Sequence, residues 1–80
     1  MAESIEFTIL KVFDEKQTRN GSIRLQIIKW GKYSPQLEKR EYYIDKEGNE
    51  KTGKAKGFNF EDMELIINNA EEIQKLLERN

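Results

Sequence analysis

The residues whose types and spacing most invite chemistry are the glycines and lysines of GNEKTGKA, residues 48–55. Gly48, four residues, then Gly53-Lys54 match a phosphate-binding P-loop until the last letter, where Ala55 stands in place of Ser or Thr. A working P-loop leaves a buried parallel strand and opens a helix whose amides face the phosphates. Here a polar turn precedes the glycines, and Lys54 leads into Ala-Lys-Gly-Phe-Asn-Phe, an extended pattern. Ala55 offers no hydroxyl to Mg²⁺. The nucleotide reading fails, and Lys51, Lys54 and Lys56 remain as cations that need another purpose.

Other catalytic chemistries are scarce. The chain has no Cys, which excludes a thiolate nucleophile, a disulfide framework and Cys-ligated zinc. It has no His, the usual general base and the commonest metal ligand. No clustered acid–base pair or activated nucleophile is visible among the carboxylates, lysines and tyrosines that are left. The expectation is a binding protein, not an enzyme, with no cofactor and no metal.

Charge indicates what it binds. The net charge of −1 hides a segregated distribution. Residues 1–15 carry one lysine against four acids, and residues 57–80 two cations against six. Between them, residues 16–56 carry eleven cations against five acids. Surface potential steers a polyanion where net charge does not. A solvated mixed-charge surface is the plain alternative.

The elements that must position these residues can be read from periodicity. Residues 5–13, IEFTILKVF, alternate as a strand, and the polar DEKQTRNGS ends in the turn dipeptide Asn20-Gly21. IRLQIIKW alternates again, with Ile23, Leu25 and Ile27 on one side and Arg24, Gln26, Ile28 and Trp30 on the other. Gly31 and Pro35 break it. LEKREYYI is a third strand, Asp45 to Gly48 a tight turn, NEKTGKAK an irregular polar loop, and GFNF a short fourth strand. From Glu61 the period becomes helical: Met63, Ile66, Ile67, Ala70, Ile73 and Leu77 form one stripe, acids crowd its start, and Lys75 and Arg79 sit near its end.

The expected fold is α+β: a four-stranded antiparallel sheet followed by one C-terminal helix, in a single domain spanning 1–80. Leu65 and Leu76 widen the apolar arc to about 200°, where a helix resting on its own sheet needs only about 100°. The surplus suits a second molecule; a more deeply sunken helix is the alternative. Eighty residues bury a marginal core, to which an oligomer interface would add. The first residues carry acids where a signal peptide needs basic groups, so a soluble cytoplasmic protein is expected, and Asn20-Gly21-Ser22 reads as a turn, not a glycosylation site.

One helix covers one side of the sheet. Ile23, Leu25 and Ile27 suit that side, which leaves Arg24 and Trp30 on the other, joined by basic and aromatic groups of the third strand, with Lys51, Lys54 and Lys56 on the following loop. Rings stack on unpaired bases, worth roughly 1–3 kcal/mol each, while cations follow the phosphates. A duplex would offer no free base face. Singly, each aromatic also fits a structural place, Trp30 capping the core edge and Tyr42 and Tyr43 half-buried in a strand.

REYYIDKEGNEKTGKAKGFNF resembles the C-terminal core of the transcriptional positive cofactor 4 family, single-stranded-DNA-binding coactivators. The shared ordered set is an Arg-Glu-Tyr-aromatic run, an Asp-x-Glu-Gly turn, a Lys-x-Gly-basic stretch and a Gly-started strand entering an amphipathic helix; FTILK and IRLQIIKW extend it over about residues 7–78. The resemblance implies a curved sheet, a homodimer through the C-terminal helices, DNA along exposed sheet ridges, and no enzymatic activity. By that likeness Arg40 matches a DNA-contacting arginine, Tyr43 and Trp30 fall at stacking aromatics, and Lys51, Lys54 and Lys56 cover the basic loop. Lys39 departs from the pattern at a place that is usually apolar, KTGKAKG is one residue longer than the usual loop, and the DEKQTRNGS linker is longer too.

The sequence therefore leads to a homodimer that binds single-stranded DNA or RNA, in transcription or in DNA maintenance, with the transcription machinery as a further partner and a nucleoid location compatible with it. Arg24, Trp30, Arg40, Tyr43, Lys51, Lys54 and Lys56 form the expected nucleic-acid site, and Leu65, Ile66, Asn69, Ile73, Leu76 and Leu77 the expected dimer interface. A protein–protein interaction module using the same rings and arginines is the competing reading.

Overall fold

The computed structural model describes residues 6–78. Four strands, β1 (Phe7–Thr18), β2 (Gly21–Trp30), β3 (Gln36–Ile44) and β4 (Glu50–Lys56), precede two helices, α1 (Phe60–Asn68) and α2 (Ala70–Leu77). The sheet is antiparallel throughout, in the order β1-β2-β3-β4. Ile5 and Arg79, expected at the start of the first strand and the end of the helix, lie outside the described residues.

The expected antiparallel sheet and C-terminal helical segment are present, with three corrections. The first strand runs on to Thr18 and absorbs DEKQT, because that polar stretch finds partners: Glu15 lies opposite Arg24, Lys16 opposite Ile23 and Thr18 opposite Gly21. The reversal is the two residues Arg19-Asn20. Gly21 is needed for a close approach, since a Cβ there would lie 2.0 Å from the Tyr42 carbonyl oxygen.

The fourth strand is the lysine stretch itself, not GFNF. Asp45 Oδ1 accepts from the backbone N–H of Glu47 and of Asn49, both at 2.9 Å, and Gly48 takes a φ of +84° that favours glycine. This turn aligns Glu50 with Ile44, and pairing then carries the chain to Lys56 despite its lack of apolar alternation. GFNF becomes the approach to the helix. Asn59 Oδ1 accepts from the Asp62 N–H at 2.9 Å while Asp62 Oδ2 accepts from the Asn59 N–H at 2.8 Å, a reciprocal capping box that starts α1 at Phe60.

The single expected helix is two, interrupted at Asn69. Its Nδ2 donates to the Leu65 carbonyl at 2.8 Å, competing with the helical ladder as short amide side chains do.

The helices cover the expected side of the sheet. Leu25 and Ile27 are buried there with Ile73 of α2, each worth about 1.5–3 kcal/mol when fully withdrawn from water. Ion pairs staple this layer: Lys11 to Glu72, Lys16 to Glu61 at 3.4 Å, and Lys39 to Asp62 at 2.7 Å. Lys39 thus occupies a helix-facing position, opposite Leu25, by bringing its own counter-charge. Both edges are guarded. β1 carries two register irregularities that bend it, and β4 carries lysines.

Candidate nucleic-acid interface

Strand alternation and register fix the face of each candidate. On the helix-free face β2 presents Ser22, Arg24, Gln26, Ile28 and Trp30, and the facing β3 residues are Tyr42, Arg40, Glu38 and Gln36. Arg24, Arg40 and Trp30 therefore share that face, as expected. Tyr43 does not: it lies opposite Gly21, in phase with Ile23 and Leu25 on the helix-bearing side. Lys51 faces Tyr43, and Lys56 faces Lys39, so these two lysines follow it. Trp30 and Tyr43 also stand at opposite ends of β2, nine positions apart in the pairing, or about 30 Å. The expected single surface of rings and cations is two separate groups.

The helix-free face is not naked. Gln26 and Ile28 are fully withdrawn from solvent and Tyr42 is 2% exposed. Long polar side chains cover them. The Arg24 guanidinium lies 4.1 Å from the centre of the Tyr42 ring, donates to Glu50 at 2.7 Å and to Glu15 at 3.2 Å, and Gln26 Nε2 donates to the Tyr42 hydroxyl at 2.6 Å. Arg40 donates to both oxygens of Glu38, at 2.7 and 3.0 Å, and to the Gly53 carbonyl at 2.7 Å. Its guanidinium sits 5.1 Å from the Trp30 ring centre, and Phe7 tilts against the same ring at 4.9 Å. Burial works to lower the Arg24 pKa, but Glu50 and Glu15 outweigh it and the group titrates above its ordinary value. Arg40 is raised mainly by its hydrogen bonds to Glu38, with burial opposing. Both charges are permanent, and both are already matched: Glu15, Glu38 and Glu50 attend two arginines.

The other group is differently provided. Tyr43 is 41% exposed. Lys51 reaches Asp45 only at 4.0 Å and Lys56 reaches Glu41 at 3.7 Å. Lys54 has no carboxylate within 4.0 Å among the described residues. It occupies a bulge: pairing passes from Arg40–Ala55 to Tyr42–Thr52, so Gly53 and Lys54 together stand against Glu41. A Cβ on Gly53 would come within 3.1 Å of the Glu41 carbonyl. The glycines of the near-P-loop thus serve a turn and a bulge, and no helix N-terminus faces them.

The expected dimer residues divide as well. Ile73 is 5% exposed within its own chain and belongs to the core. Leu65, Ile66, Asn69, Leu76 and Leu77 are half-buried. The apolar groups that α1 leaves in solvent are Phe60 (78% exposed), Met63 and Ile67 (69%), spaced as one stripe, with Phe58 before them. Leu65 and Leu76, on which the expected surplus width rested, are half-buried; Met63 and Ile67, expected in the stripe against the sheet, are the exposed ones.

Tyr42 and Tyr43, both expected half-buried as their plain structural place, part company: Tyr42 is buried and Tyr43 exposed, a choice that LEKREYYI hides by carrying apolar groups in both phases. Tyr33, 69% exposed, carries no signal in the sequence, since Gly31 and Pro35 around it mark only a strand break. Among the described residues no acidic cluster could hold a metal ion, and no helix is long and apolar enough to cross a membrane. No family model, curated protein or solved structure matches the chain.

Proposed function

We propose that this protein binds single-stranded nucleic acid on the ribbon formed by β3 and β4, with Tyr43 stacking on a base and Lys51, Lys54 and Lys56 taking phosphates. The observation that carries the reading is an exposed ring in direct cross-strand register with a lysine, on an edge strand whose cations are loosely paired or unpaired. A ring of this kind accepts any base face; Lys54 has no ion pair to give up among the described residues, and Lys51 and Lys56 only long, exposed ones. Arg24 and Arg40 are scaffold in this reading: they fix the face behind the ribbon and are not the main phosphate contacts. Trp30, on the opposite face against Arg40 and Phe7, lies outside the ribbon in this reading.

Fluorescence anisotropy of a labelled oligothymidylate, with duplex DNA as competitor, tests it. Tight binding at low salt, poor competition by duplex and a loss of about 5- to 150-fold in Tyr43→Ala are expected, the equivalent of one stacked base. No complex at low salt would leave the ribbon lysines as edge protection alone.

A second reading, self-association, is favoured by the exposed stripe Phe60, Met63 and Ile67 on α1. Light scattering should give a dimer at tens of micromolar, at the order of concentration where modest interfaces assemble, and Ile67→Glu should return it to the monomer. A monomeric parent protein would refute it. A transcriptional or DNA-maintenance setting rests on the sequence resemblance alone.

A further inference from the structure

A map of which cations lack a carboxylate shows a second location. Among the described residues Arg19, Lys29, Lys32, Lys46 and Lys54 have no acidic group within 4.0 Å. Arg19 and Lys46 lie at the Tyr43 end of the sheet and Lys54 on β4. Lys29, near the end of β2, and Lys32, in the turn that leads to β3, stand apart. Tyr33 projects from the same turn as one of the most exposed aromatic rings in the molecule. The turn is held firmly: Gly31 adopts a φ of +52°, its N–H donates to the Glu6 carbonyl at 2.8 Å, the Tyr33 N–H donates to the Trp30 carbonyl at 2.9 Å, and Pro35 is buried behind it. Among the described residues Lys29 Nζ donates to a carbonyl, that of Gly31, at 3.4 Å. An exposed ring thus stands on an anchored turn beside two cations that no carboxylate of the described residues neutralises.

We infer that the β2–β3 turn is a second nucleic-acid contact, in which Tyr33 stacks on a base and Lys29 and Lys32 hold the flanking phosphates, so that one strand bridges both ends of the sheet. This rests on the proposed binding at the β3–β4 ribbon and adds to it a length requirement. The two contacts are separated by about 30 Å, nine strand positions. A short oligonucleotide reaches one of them. A longer one reaches both, and the second engagement is intramolecular, so affinity rises more steeply with length than the count of phosphates alone would give.

The test uses the full chain and labelled oligothymidylates of about 4 and about 16 nucleotides, the range of single-strand site sizes. Tyr33→Ala should weaken the long strand by about 5- to 150-fold, the value of one stacked base. Tyr33→Phe, which keeps the ring, should restore it. Lys29→Gln with Lys32→Gln should reduce the salt slope for the long strand by about 1.4, at 0.7 per phosphate. Because Tyr33 is largely exposed, circular dichroism and thermal melting should stay close to the parent, as for other surface substitutions. If the parent binds both lengths and Tyr33→Ala stays within twofold on each, the second contact is refuted while the ribbon reading stands. If the parent binds neither length, the ribbon reading falls first and this inference with it.

Discussion

Tyr42 and Tyr43 are neighbours in the chain and opposites in the structure. Tyr42 is sealed under Arg24 with its hydroxyl bonded to Gln26, whereas Tyr43 is exposed and faces Lys51. The same contrast separates the cations. Arg24 and Arg40 are clamped by glutamates on the helix-free face, while Lys51, Lys54 and Lys56 are loosely held on the ribbon. A ring among positive groups is thus not one thing: matched by acids it makes a lid over a core, and unmatched it makes a surface that can receive an anion. Composition cannot tell the two apart, and register can.

The contrast predicts its largest effect on stability. Tyr42→Ala should cost about 3–5 kcal/mol, as loss of a buried aromatic does, and it strands the Gln26 amide whose Oε1 already lacks a partner. Tyr43→Ala should stay within about 0.5 kcal/mol, the range of surface substitutions. Urea unfolding of both variants measures this directly. Equal costs would erase the distinction between lid and surface.

The same test applies to a matched charge in the helix layer. Asp62 is buried, accepts from Lys39 and the Asn59 N–H, and has its charge held in place by them. Asp62→Asn leaves Lys39 without its counter-charge and should cost about 3 kcal/mol. Burial pushes the Asp62 carboxyl up, but Lys39, the Asn59 amide and the more distant Lys16 outweigh it, and its pKa ends below the ordinary 3.8. A carboxylate with a folded-state pKa lower than its unfolded one contributes stability in full above the unfolded value and loses it as pH falls through the folded one. Melting temperature should therefore decline as pH drops below about 4, and Asp62→Asn should flatten that decline. An unchanged acid limb in the variant would mean that the pair is not what links the helices to the sheet.

What was legible in the sequence follows from how burial writes itself into side chains. The helix-bearing face of β2 was readable because Ile23, Leu25 and Ile27 alternate with longer polar groups, and the helical start was readable from its acids and its period. β4 was not, because a lysine-rich edge strand is made by its pairing partner and the Asp45–Gly48 turn, not by its own apolar pattern. The face of Tyr43 was not, because β3 offers hydrophobic bulk in both phases and only the pairing of Gly21 with Tyr43 decides between them. The pairing of Arg24 was equally hidden, since Glu15 and Glu50 come from other strands. The break at Asn69 lacks the Gly or Pro that would announce it, and depends on one side-chain bond to Leu65.

The smallest effect separates the two charge classes most cleanly. An arginine that keeps its glutamates releases no counterion when a strand binds, and an unpaired lysine does. Lys54→Gln should lower the dependence of log affinity on log salt by about 0.7, the increment for one phosphate on a single strand. Arg24→Gln should leave the slope within about 0.2 of the parent by the same relation, since the guanidinium it removes was never facing phosphate. Its effect should appear in unfolding instead, as Tyr42 loses its cover. If Arg24→Gln shifted the slope as far as Lys54→Gln does, its glutamates must yield to phosphate on binding, and the helix-free face would join the ribbon as part of one interface.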